Sequence, residues 1–126
     1  MEYKDKLLFC YIIDIKASIT IAKFGTVYQP KYKGKLVLNL NDSIKAYIID
    51  YLNTYLPMVR YSIIRKNDLT ISNNTNLSIL IDHIKNEIIF QKYKFDILYN
   101  FIQHRTTRNK KRYDLIDEEY YKQIHK

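Results

Sequence analysis

The sequence predicts an α+β fold in which a four-stranded, mostly antiparallel sheet is covered by helices on one face. Three observations lead to this prediction. Apolar residues recur at helical spacing in several segments, other segments alternate apolar and polar residues as strands do, and only two glycines and two prolines interrupt these patterns. The 126 residues suffice for one domain with its own core.

The first third of the chain predicts one helix and two strands. Residues 4–16 carry an apolar stripe close to the i, i+3, i+4 spacing of a helix. The stripe consists of Leu7, Leu8, Tyr11, Ile12 and Ile15. Residues 17–24 and 32–40 alternate and therefore predict strands, the second with leucines on one face and lysines on the other.

The rest of the chain predicts a second strand pair set between helices. Asn41 or Asp42 can cap a helix over residues 43–55, which Pro57 ends. The further elements are strands at 58–65 and 68–72 joined by a turn at 66–68, helices at 76–87 and 91–104, and a short last helix capped by Asp114. Residues 104–113 are basic and predicted to be irregular. This pattern indicates an α+β domain at 1–103, followed by a basic segment and short helix at 104–126.

The charge balance indicates a phosphate-rich partner or an anionic surface. The chain has 21 Lys+Arg against 13 Asp+Glu, a formal net charge of +8. Because helices cover one face of the predicted sheet, the strand lysines are expected on the open face. The candidate binding residues of the sheet and its loops are Lys23, Lys31, Lys33, Lys35, Arg60, Arg65 and Lys66, and those of a basic arm at 104–112 are Arg105, Arg108, Lys110, Lys111 and Arg112. Charge alone fits an ordinary solvated face equally well.

Aromatic, thiol and imidazole side chains add few candidates. Tyr28 and Tyr32 lie beside lysines near the loop between the first two strands and are candidates for stacking on bases, although most tyrosines are expected to pack. Cys10 is expected to be a buried thiol. The three histidines lack metal-ligand spacing, so we expect no metal and no cofactor. No segment has the length of a membrane span, and residues 1–15 do not resemble a signal peptide.

Three segments resemble the LAGLIDADG homing endonuclease family. They are Phe9–Ser18 with the following Ile19-Thr20-Ile21, Leu69–Asn73 with Leu77 and Ile84, and Gln91–Lys94 through Phe101–Arg105. The resemblance implies an αββαββα half with a four-stranded antiparallel saddle sheet, here with a basic C-terminal extension. In the family, the motif helices of two halves pack together and their sheets form a saddle over DNA.

The motif departs from the family pattern where the family cuts. Lys16 stands at the position of the acid that holds the divalent metal, and Asp14 is the surviving, non-catalytic acid. Tyr11 and Ala17 replace the two motif glycines. An ammonium group repels Mg²⁺ but can bind a phosphate, so the resemblance implies no catalytic residue and adds Lys16 to the candidate binding residues. The bulk of Tyr11 predicts no close homodimer through the motif helix.

These observations favour a catalytically inactive nucleic-acid-binding protein. The first hypothesis is an RNA-binding component of an organellar (mitochondrial) ribosome, with rRNA and ribosomal proteins as partners, or an RNA-splicing cofactor. The organelle is inferred from the resemblance and from the abundance of Ile, Lys, Tyr and Asn, which have AT-rich codons. The alternatives are an active homodimeric endonuclease that cleaves duplex DNA and a DNA-binding regulator without catalysis. A membrane partner is not expected.

Overall fold

The computed structural model describes residues 3–107 and 112–126. Its elements in chain order are α1 (Tyr3–Lys16), β1 (Ala17–Gly25), β2 (Pro30–Asn39), α2 (Asp42–Tyr55), β3 (Ser62–Ile64), β4 (Asp68–Ile71), α3 (Asn74–Ile84), α4 (Lys92–Thr107) and α5 (Leu115–Ile124). None of the helices in these residues combines the length and apolar character needed to cross a membrane.

The four strands form one antiparallel sheet in the order β1-β2-β4-β3. The long β1–β2 hairpin places Ala17 opposite Leu38 and Ile21 opposite Gly34. On the other side of β2, Leu36 pairs with Ile71 of β4. The α+β class with one antiparallel four-stranded sheet is therefore confirmed.

The sheet separates an apolar face from an open face because side chains alternate along each strand. Ile19, Ile21, Leu36 and Leu38 are buried against the helices. Their neighbours along β1 and β2 point the other way and are partly or fully exposed. The apolar–polar alternation of the sequence thus fixes which face meets the core.

Gly34 is a point of close packing between β2 and α4. A Cβ atom at this position would lie 2.6 Å from Leu98 Cδ1 and 3.5 Å from Leu77 Cδ1. Both leucines are fully buried, so neither can move aside into solvent. The missing side chain is therefore required by packing.

Several predicted boundaries need correction. β3 covers residues 62–64 instead of 58–65, and the turn that follows is Arg65–Asn67, one residue earlier than predicted. Arg65 and Lys66 adopt positive φ values of 54° and 70°, and these left-handed residues end the strand. The predicted start of irregular structure at residue 104 is also wrong, because α4 continues to Thr107.

The residues after the basic arm pack on the same core as the sheet. α5 contacts α4, β1 and β2, and Ile124 is buried in the core cluster. Asp114 caps α5 in a capping box, as its position in the sequence predicted. The predicted boundary after residue 103 falls inside α4, which crosses it without a break.

Of the apolar stripe predicted for the first helix, only Ile12 packs against the core. The buried residues of α1 are Phe9, Cys10 and Ile13, together with Asp14. Leu7, Leu8, Tyr11 and Ile15 are exposed. Apolar residues surround α1 on both sides, so their spacing alone could not identify the inner face.

An aromatic contact joins α1, α2 and α3. Phe9 stacks on Tyr51 with ring centroids 3.9 Å apart and an interplanar angle of 9°. Tyr51 Oη lies 2.7 Å from His83 Nε2. Burial and, to a lesser extent, the positive charge of Lys6 lower the pKa of His83 below its usual value.

We expect replacement of Gly34 by Ala to destabilise the fold. The added methyl group would lie 2.6 Å from Cδ1 of the buried Leu98, and overpacking of this kind costs about 1–3 kcal/mol. Urea unfolding monitored by circular dichroism measures the loss. Lys33→Ala, on the open face of the same strand, is the control and should change stability little. An unchanged or higher stability of Gly34→Ala would contradict the described packing.

We expect His83 to lower the free energy of unfolding as the pH decreases. Since its folded pKa is lowered, the unfolded chain takes up the proton first as the pH drops below about 6.5. The free energy of unfolding then decreases until the folded state is protonated as well. In His83→Gln, this slope should be smaller than in the wild type between pH 7 and 5. His125→Gln is the control, and equal slopes in wild type and His83→Gln would refute the assignment.

Candidate nucleic-acid interface

The open face of the sheet carries a row of lysines along β2. Lys31, Lys33 and Lys35 alternate with the buried residues of the strand and point away from the helices. Two residues advance a strand by about 6.6 Å, so the three positions span roughly 13 Å. Within residues 3–107 and 112–126, none of the three ammonium groups has an ion-pair partner. The predicted cationic face is therefore present and unneutralised by those residues.

A groove on this face joins the lysines to the other strands. It has a volume of about 270 Å³. Its lining residues are Ala22, Phe24, Lys33, Lys35, Ser62, Ile64, Thr70 and Ser72. Phe24, 49% exposed, is an apolar surface here that the sequence analysis did not single out. The signal was available, because Phe24 continues the alternation of Ser18, Thr20 and Ala22 along β1.

Lys23 does not belong to the open face, contrary to the sequence-based grouping. It pairs with Tyr32 across the β1–β2 hairpin and therefore points to the helix-covered side. Its ammonium group lies 3.0 Å from a carboxylate oxygen of Glu118 and 5.7 Å from the ring centroids of Tyr32 and Tyr121. Lys23 thus attaches α5 to the sheet. The grouping was wrong because β1 keeps its alternation through residue 23.

The two tyrosines that were candidates for base stacking differ in exposure. Tyr32 is buried against Tyr113 and Tyr121, so it is not available to stack on a base. Tyr28 is 94% exposed in the loop between β1 and β2. A second depression of about 520 Å³ brings this loop beside the C-terminal segment, with Lys31 and Arg112 both in its wall.

The candidates at the far edge of the sheet are exposed but lie outside its strands. Arg60 precedes β3, and Arg65 and Lys66 form the β3–β4 turn. The carbonyl oxygen of Lys66 accepts a hydrogen bond from the ammonium group of Lys45 at 2.9 Å. Arg60, Arg65 and Lys66 therefore lie beside β3 and do not continue the row of lysines along β2.

Arg105, a predicted binding residue of the basic arm, is an internal anchor. It is buried, its guanidinium group lies 3.0 Å from Asp117 Oδ2, and it covers the Tyr113 ring at 3.8 Å. It also donates to the carbonyl oxygen of Arg112 at 2.8 Å. This role could not be predicted from a run of basic residues, because Asp117 follows 12 residues later. Arg112 is exposed, whereas Arg108, Lys110 and Lys111 lie outside the described residues.

Asp14 connects the end of α1 to the start of α4. Its carboxylate accepts hydrogen bonds from the backbone N–H groups of Ile89, Phe90 and Gln91, each at 2.8 Å. The Gln91 side chain donates in return to the carbonyl oxygens of Asp14 and Ala17. Both oxygens of this carboxylate are therefore committed to the backbone.

The residues at the end of α1 do not fit the magnesium centre that the sequence resemblance implies. Lys16 is the exposed last residue of α1 and supplies an ammonium group, which Mg²⁺ does not accept as a ligand. Asp14 is buried and saturated by backbone donors. Cys10 is buried too, as predicted, and burial raises the pKa of its thiol to about 11, so it is no nucleophile at neutral pH.

Exposed apolar residues lie along the outer side of α1 and in the segment next to its C-terminal end. Leu7, Leu8, Tyr11 and Ile15 contribute from the helix itself, each 40–54% exposed. The 89–93 segment, which Asp14 fixes against the same end of the helix, contributes Ile89, Phe90 and Tyr93. Exposed apolar residues of this number are typical of interaction surfaces.

Comparison with solved structures identifies the fold. The chain is similar to the LAGLIDADG homing endonuclease I-GzeII in complex with its DNA target, with a TM-score of 0.70 and 12% identity over 94% of this chain. The chain has the LAGLIDADG homing-endonuclease fold. It is also similar to I-CvuI bound to DNA, with a TM-score of 0.65 and 11% identity, and to I-TnaI, with a TM-score of 0.74 and 7% identity.

The LAGLIDADG fold is present here once. The chain spans 42% of the I-GzeII chain but 99% of the I-CvuI chain and 90% of the I-TnaI chain. No protein-family model and no curated protein matches the sequence. The fold predicted from three degenerate segments and the order of elements is thus confirmed by structure.

We expect Asp14→Asn to loosen the junction between α1 and α4. The amide keeps one acceptor oxygen and turns the other into a donor that faces backbone N–H groups, at a cost of about 2–3 kcal/mol. Urea unfolding and amide hydrogen exchange at residues 89–91 measure the effect. Asp96→Asn, which removes only an exposed ion pair with Lys92, is the control. Equal stabilities of the two variants would contradict the anchoring role.

Proposed function

We propose that the chain is a non-cleaving nucleic-acid-binding protein that lays the open face of its sheet against a phosphate backbone. The observation that carries this proposal is the row of Lys31, Lys33 and Lys35, which has no ion-pair partner among the described residues and lies on the face of the sheet opposite the described helices. The net charge of +8 adds long-range attraction for a polyanion. The similar I-GzeII and I-CvuI structures contain DNA, which supports a nucleic-acid partner for this fold.

Lys16 supports the absence of cleavage. In our alignment with the family motif it takes the place of the metal-holding acid, and it is the last residue of α1 in the structure. Phosphodiester hydrolysis assisted by Mg²⁺ needs carboxylates at the metal, and Asp14 is held by three backbone donors. We therefore assign Lys16 to phosphate binding.

The proposed polymer is RNA, in an organellar ribosome or a splicing complex. The support for RNA is chemical. Without metal-binding carboxylates, the protein would keep a basic surface that binds phosphates, and a structural component of a ribosome or splicing complex does not need to cleave its nucleic acid. Arg105, which was predicted to bind nucleic acid, does not support this proposal, because its side chain is buried in an ion pair with Asp117.

Duplex DNA is the second candidate, and two observations favour it. The similar I-GzeII and I-CvuI structures contain DNA targets. The exposed apolar residues of α1 would be covered if two copies paired through this helix, which would join two sheets into one surface. This observation weighs against our expectation that Tyr11 prevents such pairing, since Tyr11 is itself 54% exposed.

We expect the double variant Lys33→Ala/Lys35→Ala to bind more weakly than the wild type and with a shallower salt dependence. Each lost phosphate contact should reduce the slope of log K against log salt concentration by about 1. Fluorescence anisotropy with a labelled nucleic-acid duplex at several salt concentrations measures both the affinity and its salt dependence. Lys122→Ala, an exposed lysine of α5, is the control. An unchanged slope in the double variant would remove the open face from the interface.

We expect no Mg²⁺-dependent cleavage by the purified wild type. A randomised duplex DNA library is incubated with the protein and excess Mg²⁺, and the cut ends are sequenced. Enrichment of any cut site over a no-protein control would overturn the assignment of Lys16.

A pull-down of the protein from its native source, followed by sequencing of the bound RNA and DNA, tests which polymer it binds. Enriched duplex DNA without enriched RNA would reject the RNA proposal.

A further inference from the structure

Three side chains capable of binding a metal converge between α4 and α5, remote from the open sheet face. They are His104 near the end of α4, Asp114 at the cap of α5 and Asp117 in its first turn. His104 Nε2 lies 3.1 and 3.2 Å from the two carboxylate oxygens of Asp114 and 3.9 Å from Asp117 Oδ1. The three residues offer one nitrogen and two carboxylate ligands within 4.8 Å of one another.

One oxygen of this group is buried and has no hydrogen-bond partner among residues 3–107 and 112–126. Asp117 is 0% exposed, and its Oδ1 atom lies 3.9 Å from His104 Nε2 with no donor from those residues within hydrogen-bond distance. The other oxygen, Oδ2, is occupied by Arg105 and by the backbone N–H of Asp114. A buried carboxylate oxygen without a donor is costly, so the fold has a position here that a cation can fill.

The distances match a zinc-type site. Zn²⁺ binds imidazole nitrogen and carboxylate oxygen at about 2.0–2.2 Å, which separates tetrahedral ligand atoms by roughly 3.3–3.6 Å. The separations between His104 Nε2 and the carboxylate oxygens, 3.1–3.9 Å, bracket that range, and all three ligand atoms lie within 4.8 Å of one another. The nitrogen ligand selects a borderline transition metal over Mg²⁺ or Ca²⁺, which prefer oxygen alone.

The charge and the access are also suitable. Among the described residues, two carboxylates and one guanidinium, that of Arg105, surround the position. A cleft of about 310 Å³ opens beside His104, lined by Asn100, Gln103, Thr107 and Tyr120. An ion and its water ligands can enter by this route.

We propose that His104, Asp114 and Asp117 bind a divalent transition-metal ion of the Zn²⁺ class that fastens α5 to α4. His104 belongs to one helix and both carboxylates to the start of the other, so the ion links the two directly. Its consequence is mechanical: binding stabilises the docking of the C-terminal helix on the sheet core, next to the Arg105–Asp117 pair. The site is independent of the proposed nucleic-acid interface.

The test is a titration of the metal-free full chain with ZnCl₂ at pH 7.5, followed by calorimetry and thermal unfolding. We expect one Zn²⁺ per chain and a rise in Tm of roughly 5–10 °C at about 100 times the Kd. His104→Gln should lose binding at least 10-fold, whereas His125→Gln should retain it. Zn²⁺ binding that is absent or equal in wild type and His104→Gln would overturn the proposal.

A measurement on the wild type guards against a variant that fails to fold. The histidine side-chain nitrogen resonances report which of the three imidazoles meets the metal. We expect Zn²⁺ to shift the Nε2 signal of His104 and to leave those of His83 and His125 in place. If His104 is instead held protonated between the two carboxylates, its signals will show an imidazolium that ZnCl₂ does not perturb, and the metal site is refuted.

Discussion

The carboxylate of Asp14 is the interaction on which the arrangement of the sheet and its helices depends. It binds three consecutive backbone N–H groups at 89–91, while Gln91 binds back to the carbonyl oxygens at the helix end and at Ala17. Charged hydrogen bonds to buried donors contribute about 1.5–3 kcal/mol each. One side chain thus fixes where α1 stops, where β1 starts and where α4 begins. The apolar 89–93 segment is held beside the exposed face of α1 by the same bonds.

The division of the sheet into two faces was predictable because it follows from a local rule. Side chains on a strand alternate, so the leucines and lysines of β2 had to separate whatever covered them. The same rule places Lys23 on the covered face, and only its neighbours in space show why a lysine is tolerated there. Glu118 and the rings of Tyr32 and Tyr121 arrive from other parts of the chain.

The features that the sequence did not predict are those that depend on distant residues. A basic run is indistinguishable from a solvated arm until Asp117 is seen to meet Arg105. No sequence motif reveals the group of His104, Asp114 and Asp117. The two carboxylates follow His104 by 10 and 13 residues and come from a different helix. The inner face of α1 was ambiguous for a different reason. A helix that has apolar residues on both sides gives no periodic signal for its buried side.

The exposed side of α1 and the residues at its end have separate physical consequences. Cleavage requires carboxylates at the end of the helix, whereas pairing of two copies requires only apolar surface along its length. The non-cleaving role that we propose therefore concerns Lys16 and leaves the apolar surface unchanged. On that proposal the chain presents one lysine-bearing sheet alone or two sheets side by side, without cleavage in either state. The number of sheets joined then sets how many phosphates are neutralised, and through them the salt dependence of binding.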